Sequence, residues 1–305
     1  MIPDLLFCEN IFSAFFDFKE VKFQMTKSWI SILVLTVSIF FTGLQVFAEV
    51  PKRIISLAPN TTELLFAIGL GDRIVGVTSF CDYPEEAKKK PKIGGMSNPS
   101  LEAVLSLRPD MVVMTTDGNQ KDFAERLNSL HIKTFIFRAR RIAELPQGIR
   151  TMGEALGAKE KAYSLARDIE SAMAKISRDR NSETAAGKRR HQTALFIIWP
   201  EPLIVAGPGT AIDDVMHLFG TDNIASQTKI SYPTFSIEEI IRLSPDIILI
   251  GKGHPEMKDL SQGLLKKIAN TRAVRNKKVF FLSDNLYRLG PRIVKGIEEL
   301  SPCLK

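Results

Sequence analysis

The 305-residue sequence predicts an α/β fold: two lobes with mostly parallel sheets, joined by one long rigid helix. Three observations carry this expectation. The segment SLEAVLSLRPDMVVM at 100–114 returns almost position by position as SIEEIIRLSPDIILI at 236–250, the mark of two lobes built on one supersecondary unit. Short apolar runs alternate with helical patterns along both halves, as parallel sheets require. Between the halves, residues 145–180 keep a helical pattern in which Gly148, Gly153 and Gly157 are the weak points.

Each element has a local reason. Arg53–Leu57 reads as a strand, and Pro59-Asn60-Thr61 caps a helix over Thr62–Ile68 that Gly69 and Gly71 stop. Further strands are expected at Ile74–Thr78, Met111–Met114 and Thr134–Phe137. In each repeat a serine, Ser100 or Ser236, caps a helix, and Glu239 completes a capping box. Leu101, Val104 and Leu105, and Ile237, Ile240 and Ile241, fall at helical spacing. Pro109 and Pro245 end those helices and push the residue before them out of the α region. The uninterrupted apolar run that follows reads as a strand covered on both faces. Met152, Leu156, Tyr163, Ala166, Ile169 and Met173 share one face of the connecting helix, and 179–191 reads as a solvent loop. Strands at Ala194–Ile198, Ile247–Ile250 and Val279–Leu282, with helices at Ile212–Phe219 and Ile293–Leu300, complete the second lobe. The expected boundaries are 49–144 for the first lobe, 145–180 for the helix and 181–305 for the second lobe.

The N-terminus carries a different signal. Lys27 precedes a mostly apolar run, Trp29–Phe41, and Val46 and Ala48 suit a signal-peptidase site. Residues 25–48 are therefore expected to be a cleavable signal peptide, with a periplasmic mature chain beginning near Glu49. Residues 1–24 have no export logic and read as an over-extended start. The uncharged stretch from Ser28 to Ala48 is also long enough to span a membrane, but no basic stop-transfer cluster follows it. No cysteine lies near the cleavage point to take a lipid. Of the three cysteines, Cys8 goes with the leader, and Cys81 and Cys303 remain as either a disulfide or two buried thiols. The net charge is +7. Its basic residues are scattered except for 88–90 and 188–190, two runs that read as solvated surface, so nucleic acid is not an expected partner.

The stretches RIISLAPNTTEL at 53–64, VGVTSFCDYP at 75–84, IGG at 93–95 and the SLE beginning at Ser100 resemble the periplasmic binding proteins of ABC importers for vitamin B12 and ferric siderophores. The resemblance runs from about residue 52 to residue 303. It implies a helical-backbone binding protein with a small closing motion, acting as a monomer that delivers a ligand, cobalamin first among the candidates, to a permease dimer in the inner membrane. It implies no cofactor. Glu102 and Glu238, at equivalent places in the repeat, are by that resemblance the residues that dock on permease arginines; early-turn acids are also favoured by the helix dipole alone.

Ligands of α/β lobes sit at strand ends. The expected cleft residues are Phe80, Asp82, Tyr83 and Met96 from the first lobe, and Trp199, Tyr232, Asp284, Tyr287 and Arg288 from the second. Aromatic faces suit a corrin-like macrocycle. The cobalamin binders of this family carry a tryptophan near the position of Met96, and Trp199 is expected to supply that surface from the opposite wall. A ferric siderophore or haem is the alternative ligand, with Arg138, Arg140, Arg141 and Arg288 available to an anion. His131, His191, His217 and His254 lack the paired spacing of a metal site. Gly207-Pro-Gly209 reads as a turn rather than a phosphate loop, and no nucleophile–base pair is evident, so an enzyme or a sensor is the remote alternative.

Overall fold

The computed structural model describes residues 50–116, 118–185, 192–253 and 256–304. The signal peptide at 25–48, the preceding 1–24, Cys8, the basic run 188–190, His191 and His254 lie outside the described residues.

The first sheet is built from β1 (Ile54–Ser56), β2 (Ile74–Val77), β3 (Met111–Thr115) and β4 (Lys133–Phe137), all parallel, in the order β2-β1-β3-β4. Its helices are α1 (Pro59–Ala67), α2 (Glu85–Lys88), α3 (Leu101–Ser106) and α4 (Lys121–Ser129). The chain leaves β1 to one side for β2 and returns on the other side as β3. That order makes the gap between the C-terminal ends of β1 and β3 a switch point, where an open sheet offers a crevice. The start of α1 corrects the expected cap. Pro59 occupies the first turn and Ala58 stands at the N-cap, while Thr61 and Thr62 turn their hydroxyls back onto the Ala58 carbonyl.

The second sheet has the order β6-β5-β8-β9, from β5 (Gln192–Pro200), β6 (Leu203–Val205), β8 (Ile247–Gly251) and β9 (Val279–Leu282). β7 (Thr221–Asn223) pairs with the start of β5, and only β6 runs antiparallel. The surrounding helices are α7 (Ala211–Leu218), α8 (Ile237–Leu243), α9 (Met257–Lys267), α10 (Arg272–Arg275) and α11 (Ile293–Leu300).

The connection between the sheets is two helices rather than one stretch. α5 (Leu145–Leu156) ends at Gly157, whose φ of 71° is left-handed, and α6 (Lys159–Ala185) folds back along it. A side chain on Gly153 would overlap Ala162, which is why the two helices can touch there. Arg150 grips Glu170 with two bonds of 2.8 and 2.6 Å, and Tyr163 donates to Glu154 at 2.6 Å. The 27 residues of α6 make a rod about 40 Å long. It continues through Ala185, so residues 179–185, expected to open a solvent loop, are helical instead. Among the described residues no helix is long and apolar enough to cross a membrane.

Strand alternation divides the core into three parts. Ile54 and Val113 of the first sheet and Phe196 and Leu249 of the second face one continuous cluster, together with Ile149 and Met152 of α5, Ala166 and Ile169 of α6, and Ile293 and Ile297 of α11. The neighbours of those strand residues face outward. Ile55 and Val112 join Phe123 and Leu127 of α4, while Leu195, Ile197 and Ile248 join Ile240 of α8.

Candidate functional site

A cleft of about 540 Å³ opens where the C-terminal strand ends of the two sheets meet. The first sheet contributes Pro59 and Asn60 from just beyond β1, Thr115 and Thr116 from the end of β3, and Met96 from the loop before α3. Ile198 of β5, Ile204 of β6, Ala211, Tyr232 and Tyr287 form the other wall. The lining is mainly apolar with a few polar groups, the usual make-up of a small-molecule site.

The repeat explains how the two walls are held. Met96 lies four residues before Ser100, and Tyr232 four residues before Ser236, so the cleft takes the same register position from each half. Each serine then caps its helix, accepting from Ala103 N at 3.2 Å and from Glu239 N at 3.1 Å. The expected capping box is half made, since the Glu239 carboxylate turns to Arg242 instead. Arg108 and Ser244, the residues before the two prolines, have φ of 45° and 40°. Asp110 and Asp246 then clamp the start of the neighbouring strand: Asp110 accepts from Lys52 N and Arg53 N, and Asp246 from Thr193 N and its hydroxyl. Asn119 adds a tie that the sequence did not flag. Its side-chain amide donates to the Leu57 and Met96 carbonyls and its oxygen accepts from Thr115 N, joining β1, β3 and the Met96 loop.

A charged cluster closes one side of the cleft. Glu63 of α1 is almost fully buried and bonds Arg292 at 2.6 and 2.8 Å, with Arg288 at 3.4 Å. Arg288 also pairs with Asp82, and with Asp284 at 2.8 Å. Asp284 reaches Arg292 at 3.2 Å, and the guanidinium of Arg292 lies 4.3 Å from the centre of the Tyr83 ring. Burial works to raise the Asp82 carboxyl, but the hydrogen bond and charge of Arg288 outweigh it and hold it below its ordinary value. Burial works equally to lower Arg288 and Arg292, yet their carboxylate partners keep both guanidiniums more firmly protonated than usual. Burial raises the Tyr287 phenol well above its ordinary value, and the Asp284 charge adds to this. Three carboxylates thus surround two guanidiniums, and the cationic face expected of Arg288 is already occupied.

The expected residues therefore divide. Met96, Tyr232, Tyr287 and Arg288 line the cleft. Asp82, Tyr83 and Asp284 belong to the ion cluster behind it. Phe80 is 56% exposed on the loop between β2 and α2 and does not line the cavity. Trp199 points away. It packs with Leu195 and Ile197 on the outer face of β5 and donates its indole N–H to the Glu201 carbonyl at 2.7 Å. A strand turns successive side chains to opposite faces, so its neighbour Ile198 faces the cleft instead. Of the arginines, Arg140 lines the cleft while Arg141 pairs with Asp214 across the seam at 3.0 Å. Glu102 and Glu238 are exposed in the first turns of α3 and α8. Glu63, Arg292 and Asn119 were missed because their roles depend on partners far away in sequence.

The remaining features are structural. Cys81 and Cys303 are free thiols, Cys81 being buried against the Thr62 and Thr78 hydroxyls. The turn at 207–209 leads into α7, whose first turn is occupied by its own Thr210 and Asp213. His217 Nδ1–H donates to the Asp213 carbonyl at 2.8 Å on the exposed side of that helix. Among the described residues no His, Cys, Asp and Glu cluster could hold a metal ion.

The family profile described as periplasmic binding protein matches residues 54–286. The chain is 27% identical to a vitamin B12-binding protein of Pectobacterium atrosepticum over 82% of its length and 88% of the relative's. It is 30% identical to the ABC transporter substrate-binding lipoprotein YvrC of Bacillus subtilis, covering 83% of this chain and 80% of that one. Among solved structures it is similar to the periplasmic haem-binding protein RhuT of Roseiflexus sp. RS-1, with a TM-score of 0.74, 28% identity, and coverage of 83% and 97% of the two chains.

Proposed function

The chain belongs to the periplasmic binding protein family, whose members here are substrate-binding transport proteins rather than enzymes, and from that premise we propose that it captures cobalamin and delivers it to an ABC importer. The observation that carries this reading is the pairing of Met96 and Tyr232, one from each half at the same register, across an apolar cleft floored by Tyr287. A broad macrocycle can lie between such walls with its polar edge toward Asn60, Thr115 and Thr116. The B12-binding relative supports the same ligand class. Because Glu63, Asp82 and Asp284 take up the charge of Arg288, the wall favours a ligand without a strong anionic edge at that point.

Haem is the second reading, and one observation favours it. A methionine thioether and a tyrosine phenol are both recognised axial ligands of haem iron, and Met96 and Tyr232 stand on opposite walls. The Roseiflexus haem-binding relative supports this alternative. A ferric siderophore would depend on Arg140, since Arg288 is engaged. The reading includes export by the signal peptide at 25–48, a mature periplasmic monomer from about residue 49, lobes at 49–144 and 181–305, and docking on a permease dimer through Glu102 and Glu238.

Calorimetric titration of residues 49–305 with cyanocobalamin, haemin and a ferric siderophore tests it. Saturable one-to-one cobalamin binding, weakened by Tyr232→Ala, is the expected result. Haemin binding with a visible-band shift lost in Met96→Ala, and no heat from cobalamin, would replace cobalamin with haem. No binding of any of the three would overturn the transport reading.

A further inference from the structure

The repeat carries a second matched pair of side chains that the cleft does not use. Counted from Ser100 and Ser236, the carboxylates Glu102 and Glu238 stand at the same position, and so do Leu105 and Ile241 three residues further on. Leu105 is 40% exposed and Ile241 44% exposed. Their neighbours Val104 and Ile240 are fully buried, so each helix turns one face to the core and the other to solvent. Residues three apart share a helix face. Each half therefore presents one carboxylate beside one large apolar side chain, and among the described residues neither Glu102 nor Glu238 has an ion-pair partner.

Single exposed apolar residues are ordinary on any surface. Here two of them occupy one register position in two halves, each beside a carboxylate in the same relation. α3 and α8 run back along the strands they feed, which puts their first turns at the sheet edge where the cleft opens. Met96 and Tyr232 stand only six residues before Glu102 and Glu238.

We infer that Leu105 and Ile241 are apolar anchors of a docking surface, each completing an acid-plus-apolar pair that fits one half of a two-fold symmetric membrane permease. The inference rests on the reading of the chain as the binding component of an ABC importer. A partner made of two equal halves offers the same patch twice, and a receptor with two matched patches is what fits it. A basic side chain on each half would meet the carboxylate. An apolar pocket beside it would take Leu105 or Ile241, giving the interface a desolvated centre inside a charged rim. Carboxylates alone give steering and orientation, whereas buried apolar anchors lengthen residence.

The test compares the parent protein with Leu105→Ser, Ile241→Ser, the double variant, and Glu102→Ala with Glu238→Ala. The probe is the homodimeric ABC permease complex of the same organism in nanodiscs, with cyanocobalamin and haemin titrated in parallel. Both apolar side chains are well exposed, so the serine variants retain the fold and ligand affinity of the parent. Docking is expected to weaken about tenfold in each single variant and further in the double variant, chiefly through faster dissociation. A double variant that docks as tightly as the parent, while the glutamate variants fail, overturns the inference. So does sedimentation showing that the parent self-associates through this face and the double variant does not. A parent that docks but binds neither ligand sinks the cobalamin and haem readings alone; one that binds ligand but does not dock sinks the docking inference alone.

Discussion

At the scale of single residues, β-strand parity decides what the cleft can touch. Ile198 and Trp199 are adjacent, yet one faces the cavity and the other packs on the outer cluster. Trp199→Ala is therefore expected to leave ligand affinity unchanged while costing about 2 kcal/mol of stability in urea unfolding. Tyr232→Ala should do the reverse, losing about tenfold or more in affinity with stability changed by no more than about 0.5 kcal/mol. Glu63 has the opposite character from both. It is buried between two guanidiniums, so Glu63→Gln leaves them undercompensated and is expected to cost about 3 kcal/mol. Asp82 gives the cluster a pH dependence. Its folded-state pKa is lowered from 3.8, so its contribution is present at neutral pH and is lost as the pH falls through that lowered value. The stability difference between the parent and Asp82→Asn, followed by chemical denaturation, should be flat near neutrality and vanish only in strong acid.

At the scale of elements, much of the molecule was legible. The strands at Ile74, Met111, Ile247 and Val279 announce themselves as apolar runs, and the repeat fixes both caps and both proline stops. The residues before those prolines leave the right-handed α region as expected, but for the left-handed one, which the sequence did not indicate. α4 and α9 were not anticipated. Both are short on apolar residues, and the helical spacing of Phe123, Ala124 and Leu127, and of Met257, Leu260 and Leu264, was legible in the sequence but overlooked among the charged residues around it. The connecting rod was misread for a related reason. Glycines at helical spacing do not interrupt a pattern of apolar faces, and only the left-handed turn at Gly157 reveals that α5 doubles back on α6. Gly153→Val tests that contact. The added side chain meets Ala162 and should destabilise the protein by about 2–3 kcal/mol, read as a lowered melting temperature with unchanged ligand stoichiometry. The ion cluster was illegible because Glu63 and Arg292 are separated by most of the chain: Glu63 sits within the 53–64 stretch that carries the resemblance, but nothing there names a partner so far away in sequence.

At the scale of the whole molecule, one core runs from the first sheet through α5 and α6 into the second. Two sheets that share a core cannot melt separately. Calorimetry of residues 49–305 should record a single transition with equal calorimetric and van't Hoff enthalpies, and residues 49–144 expressed alone should lack dispersed amide resonances. The seam between the sheets is fastened in two places, by Arg141 with Asp214 and by the Glu63 cluster with Arg288 and Arg292. Two fixed points define a line. Any movement that keeps both fastenings must rock one sheet against the other about that line, like a lid on two hinge pins. Tilting about that line alters the width of the cleft in either sense, whereas parting the sheets at the seam itself must first break one of the two fastenings.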